Sequence, residues 1–230
     1  MVPIKDFYQK VSKKFSSHGN PTTAAQMKKY MRNQFEFYGL PAPLRRSLQK
    51  ELIGEFGLPE LTDLPELMDI LWRDNHRELQ MFGLDLMDKV IKKAKSDFII
   101  VLEKLITTKS WWDSVDLLAI RLVGTHFRRF PELISVYITK WRNSQNIWLQ
   151  RTTILFQLKY KRDTDVELLF SLIRQFADSK EFFLQKASGW ALREYSKTDW
   201  EAVVVFIENH DLAPLTKREG LKWLQKRGVL

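Results

Sequence analysis

The 230-residue chain carries 37 Lys and Arg against 28 Asp and Glu, a net charge of +9, and 44% of it is apolar. It has no cysteine, which excludes disulfides and thiolate-held zinc. No apolar run approaches the ~18 residues that span a bilayer; the longest, "FIIVLEKLI", is interrupted by Glu103 and Lys104. The positive excess favours a polyanionic partner, nucleic acid or an anionic surface. The N-terminal "MVPIKDFYQK" lacks the apolar core of a secretory signal, so the cytoplasm is the expected compartment. His18, His76, His126 and His210 are far apart and form no HxH or HxxxH pair. No metal site is therefore expected.

Taken in chain order, nearly every segment has helical period. "LIGEFGLP", "LMDILW", "LDLMDKVI", "LISVYITKW" and "LLFSLIRQF" place apolar residues at i, i+3, i+4 and i+7. Breaks fall at Asn20-Pro21, Gly39 to Pro43, Pro59, Pro65, Pro131 and Pro214, where proline or glycine ends one helix or opens the next. This spacing predicts about twelve helices and no strand pair.

The helices repeat. Leu-Gln recurs at 79–80, 149–150 and 184–185, and second helices open at Glu132-Leu133, Glu167-Leu168 and Glu201-Ala202. A period near 35 with two helices per unit marks an α-solenoid. The fold class expected is all-α, a right-handed solenoid of HEAT-like helix pairs with a concave binding groove, formed by residues 1–230 as a single domain.

The same period aligns three ionic residues. Asp116, Arg151 and Lys186 are each 35 apart and fall on the first helices of successive repeats. In "NIWLQRTTILFQL", Arg151 shares a stripe with Trp148, Leu155 and Leu158. A charge there is costly unless it is paired or faces a wet groove. In "EFFLQKASGWALREY", Lys186, Trp190 and Arg193 stand at i, i+4 and i+7. Interleaved cations and aromatics suit a nucleic-acid groove, where cations take phosphates and indoles stack. The alternative is a ladder of ion pairs between repeats, Asp116 with Arg151, closing a core.

"TKSWWDSVD" (108–116) concentrates two indoles and two acids. On a helical wheel Trp111 falls with Val115, Leu118 and Leu122 on the buried stripe. Trp112 and Asp116, at i and i+4, lie at its edge and face the groove. Asp113 is a first-turn acid that favours the helix N-terminus. A carboxylate in a basic groove repels phosphate, so a cation in the ligand or the transition state is the expected compensation.

Together, "TKSWWDSVD", "NIWLQR", "ILFQLKYK", "SKEFF", "QKASGWALREY", "LAPLTKRE" and the early "AAQMKKYMRNQFEFYGL" resemble the DNA alkylation repair family of AlkD-like alkylpurine DNA glycosylases, over essentially the whole chain. The resemblance implies a HEAT-like solenoid that holds duplex DNA and hydrolyses the N-glycosidic bond of N3- and N7-alkylated purines without metal or cofactor. It carries the family's aspartate onto Asp116, its two groove-facing tryptophans onto Trp112 and Trp190, and its arginine near the reacting nucleotide onto Arg151. Its DNA-contacting tyrosine falls on Tyr30 and a further basic groove position on Arg193, beside Lys186 of the ladder. A groove with no obvious pocket would reach the lesion without enclosing the base. A monomer with no obligate protein partner is expected. Two other readings remain: a non-catalytic solenoid that binds DNA structure, and a protein scaffold whose groove charge is incidental.

Overall fold

The structure, a computed structural model, describes residues 3–229. These residues form an all-helical architecture of the α-solenoid kind, built from helix pairs. Among them there is no strand, only an isolated backbone bridge between Glu36 and His76. The chain divides into two compact units, Met1–Lys95 and Ser96–Leu230.

The first unit holds α1 (Ile4–Ser17), α2 (Pro21–Tyr30), α3 (Ala42–Phe56), α4 (Leu64–Arg73) and α5 (Arg77–Val90). α1 packs on α3 and α4, and α4 on α5. Phe7, Phe15, Leu67, Leu71 and Phe82 are buried. The predicted breaks start helices for the expected reasons. Asn20 caps α2 by accepting from the Thr23 N–H, and Pro21 takes the first helical position, where its missing N–H costs nothing. The loop before α3 is fastened by the buried Glu78, whose carboxylate accepts the N–H groups of Tyr38, Gly39 and Leu40 at 3.1, 2.9 and 3.1 Å.

The second unit holds α6 (Ile99–Thr107), α7 (Trp112–Leu117), α8 (Gly124–Arg129), α9 (Glu132–Arg142), α10 (Ile147–Leu155), α11 (Val166–Gln175), α12 (Phe182–Tyr195), α13 (Trp200–Glu208) and α14 (Pro214–Arg227). A π-helical stretch, Leu118–Val123, joins α7 to α8 without a break, a widened turn of the kind that recurs at functional sites. Asn146, Asp165 and Asp199 cap α10, α11 and α13 through their side chains, each cap stabilising by about 1 kcal/mol. The repeat spacing is realised in space: α7 packs on α10, α10 on α12 and α12 on α14. Ile154, Leu155, Ala187, Leu192, Val203 and Phe206 make one apolar core beneath them.

The contact between α12 and α14 is unusually close. A Cβ built on Gly189 would meet the Glu219 Cβ at 2.6 Å and the Thr216 carbonyl oxygen at 2.9 Å. Both are atoms on or next to the backbone, so the helices themselves would have to move. Gly189→Ala is expected to cost about 1–3 kcal/mol by overpacking, read as a lowered urea midpoint at unchanged slope.

Candidate functional site

α7, α10, α12 and α14 converge on a depression of about 230 Å³ lined by Trp112, Asp116, Arg151, Phe182, Phe183, Lys186, Trp190, Arg193 and Glu219. Six of the residues singled out from the sequence stand around it together. The seventh, Tyr30, ends α2 of the first unit and is largely exposed. These side chains outline an open depression rather than an enclosed pocket. It falls short of the ~300 Å³ at which clefts begin to bury most of a small ligand.

Asp116 and Arg151 form a bidentate pair. Nε of Arg151 donates to Oδ1 at 2.7 Å and Nη2 to Oδ2 at 2.9 Å, while Nη1 donates to the Phe183 carbonyl. Arg151 is 4% exposed and lies among the buried Leu155 and Leu158. The pairing between repeats weighed as an alternative is therefore present, and it answers how a guanidinium survives in an apolar stripe. Arg151 was expected as a contact to DNA, but these donors are engaged within the protein. Burial pushes the Asp116 carboxyl above its ordinary 3.8; the hydrogen bonds and charge of Arg151 pull it back, and Asp113 adds a further upward push.

Trp111 departs from its assigned place in the core. It is the residue before α7, with extended backbone at φ −155°, so the helical wheel does not apply to it. It is half-buried, its ring 5.8 Å from that of Trp148 and 5.4 Å from that of Phe183, with Trp148 and Phe183 5.0 Å apart. This aromatic cluster braces Phe183, whose carbonyl holds Arg151. Val115, Leu118 and Leu122 are buried as the wheel places them. Asp113 stands in the first turn of α7 and is nearly buried.

The opposite wall holds a residue that sequence reasoning missed. Glu219 accepts from Lys186 Nζ at 2.8 Å and from Arg193 Nη1 at 2.6 Å. The hydrogen bond from Lys186 is the largest influence on its carboxyl, which is held down at about 2. The basic stripe of α12 thus faces a buried acid from α14. The closing letter of "LAPLTKRE" was the available signal, together with Gly189, which permits the approach. Phe182 and Phe183 of "SKEFF" also line the depression, and no helical or repeat spacing in the sequence points to them.

The "KYKR" run lies elsewhere in the second unit. Lys159, Lys161 and Arg162 border a depression of about 590 Å³ with Arg128, Tyr160, Asp163, Lys197 and Thr198. Arg128 pairs with Asp163 at 3.2 Å. Among the described residues no group of three or more His, Asp or Glu side chains is placed to hold a metal ion, and no helix is long and apolar enough to cross a membrane.

With this geometry in hand, comparison with known proteins is specific. The family described as DNA alkylation repair enzyme matches residues 11–224. A solved structure described as a predicted DNA alkylation repair enzyme from Enterococcus faecalis is 33% identical, with a TM-score of 0.83 over 90% of this chain and 97% of that one. AlkD2 from Streptococcus mutans is 14% identical, with a TM-score of 0.63 over 97% and 98% of the two chains. The protein smu.31 from Streptococcus mutans UA159 is 15% identical, with a TM-score of 0.58 over 79% and 96%. Both of the latter speak to the fold alone. No curated protein sequence matches.

Proposed function

The chain belongs to the DNA alkylation repair enzyme family, and with it to DNA repair; on that premise we propose that it is a monofunctional DNA glycosylase acting on cationic N3- and N7-alkylated purines in duplex DNA. The observation that carries this reading is the convergence of Asp116 with Trp112 and Trp190 on one open depression. A carboxylate there works against phosphate binding and in favour of a cation.

The chemistry asks little of the protein. An N3- or N7-alkylated purine is already positively charged. When the N-glycosidic bond breaks, its electron pair leaves with the base, which departs neutral. No general acid is required, unlike the two-carboxylate hydrolysis of glycosides. Asp116 stabilises the oxocarbenium-like sugar and orients the water that adds to it, and the water's proton passes to the carboxylate or to solvent. Trp112 and Trp190 offer π faces to the cationic sugar or base, each worth roughly 0.5–2 kcal/mol. Arg151 enters as the residue that orients Asp116. The exposed Tyr30 is assigned to the DNA backbone, Lys186 and Arg193, both engaged by Glu219, to the positive field that draws the duplex in, and Lys161 and Arg162 to flanking phosphates. The depression is too small to bury a nucleotide, which supports excision without enclosing the base. We assign the protein to the cell interior as a monomer that needs no cofactor.

The test is release of free N7-methylguanine and N3-methyladenine from alkylated duplex by the wild-type protein. Release is expected, with uracil and 8-oxoguanine poor substrates because they lack the charge that makes the base leave. Its rate should fall as pH drops through the Asp116 value. Since burial raises that value above 3.8, the acid limb lies above the position of an ordinary aspartate. Salt-sensitive duplex binding with no base release would instead select a non-catalytic DNA-binding solenoid.

A further inference from the structure

Two acids line the depression, and the proposed reaction uses only one. Glu219 is 7% exposed, and its two oxygens are divided between Lys186 and Arg193. It is brought there by the glycine-permitted contact of α12 with α14, and Thr216 Oγ1 donates to the Gln185 carbonyl at 3.2 Å one turn away. The five ionic side chains around the depression are Asp116, Arg151, Lys186, Arg193 and Glu219. Arg151 already cancels Asp116. Without Glu219 the remaining pair of cations would leave the site doubly positive, hostile to a cationic lesion and strongly attractive to phosphate. With it, one positive charge remains.

We propose that Glu219 is a positioning and specificity residue: it holds Lys186 and Arg193 against α14 and cancels one of their charges, so that the depression accepts a cationic nucleotide without being captured by phosphate. This rests on the glycosylase reading above. Freed of Glu219, the two cations swing toward DNA phosphate. Binding of duplex then strengthens and becomes more salt-dependent, while the cationic transition state is disfavoured. A role confined to tying α12 to α14 predicts no such opposition.

The experiment compares wild type, Glu219→Gln and the conservative Glu219→Asp. Binding to undamaged duplex is measured from 50 to 200 mM salt, beside single-turnover release of N7-methylguanine. Glu219→Gln is expected to lose about three- to fourfold more affinity across that salt range for each cation freed, to bind more tightly at low salt, and to release base on the order of tenfold more slowly. Glu219→Asp should move both readings back toward wild type. Binding and release that fall in parallel, or that both stay at the wild-type level, overturn the proposal. A second variant, Lys186→Gln with Glu219→Gln, removes one charge of each sign. It frees only Arg193, so across the salt range it should lose about three- to fourfold more affinity than wild type, half the excess slope of Glu219→Gln, and release base faster than Glu219→Gln; if Glu219→Gln does not fold, that single excess step against wild type is the expected result. A double variant with the wild-type slope, or with the full excess slope expected of Glu219→Gln, refutes the charge argument. Should the wild type release no base at all, the glycosylase reading fails, while the salt slopes still decide whether Glu219 restrains the two cations.

Discussion

Asp116→Asn lowers the rate of base release by on the order of a thousandfold, while duplex binding is kept and strengthens as the opposing carboxylate charge is lost. A carboxylate ~4 Å from a unit positive charge is worth about 4 kcal/mol at an effective dielectric near 20, which is roughly three orders of magnitude in rate. The guanidinium of Arg151, bonded to both oxygens of that carboxylate, alters how this loss divides. At ~8 Å from the same charge it opposes by about 2 kcal/mol, so the intact pair gains only about thirtyfold. Removing the acid alone leaves the guanidinium facing the cation. Asp116→Asn with Arg151→Met should therefore release base about thirtyfold faster than Asp116→Asn. Single-turnover rates of the three proteins check both statements. A wild-type rate for Asp116→Asn ends the role given to the residue, and a double variant slower than the single one ends the charge-pair account.

Arg151→Ala is expected to destabilise the protein by about 3–5 kcal/mol at pH 7, a large part of the 5–15 kcal/mol typical of a folded chain. The cost comes from what is left behind. Asp116 has a side chain 16% exposed and loses both of its hydrogen-bonded contacts to the guanidinium, leaving a carboxylate partly out of water with no counter-charge. Protonation relieves that penalty. In Arg151→Ala the pull that Arg151 exerts on the Asp116 carboxyl is gone, and burial and the neighbouring Asp113 charge act unopposed, so its value rises further above 3.8. The variant's deficit should therefore be largest above the raised value and shrink as pH falls through it. Urea unfolding followed from pH 8 down through the acid range reads this directly: a deficit that does not change with pH would mean that the loss is one of packing. Replacing both partners, as Asp116→Asn with Arg151→Met, should cost less than Arg151→Ala alone, because no isolated charge remains.

Much of this was legible in the sequence, and the reason is locality. A helix is made by residues three and four apart, so the apolar period and the prolines located the helices. Asn20-Pro21, Pro65 and Pro214 each open a helix in the structure. The repeat of about 35 residues carried further. It placed Asp116, Arg151 and Lys186 on the first helices of successive pairs, and α7, α10 and α12 do pack in that order. The wheel failed at Trp111, where its premise did, because the extended backbone there lies outside the helix it was assigned to.

By itself, then, the sequence determined an all-helical repeat protein, rich in positive charge, with its ionic and aromatic side chains aligned along one set of helices. The tertiary structure decided what those side chains hold. Arg151 meets Asp116 across 35 residues, and Glu219 meets Arg193 across 26. Such meetings depend on how closely two helices approach, and between α12 and α14 that approach is allowed by the missing Cβ at Gly189. Charge count and spacing register that cations are present. Only packing shows that two acids already hold three of them, which turns an apparently free basic stripe into a nearly balanced site.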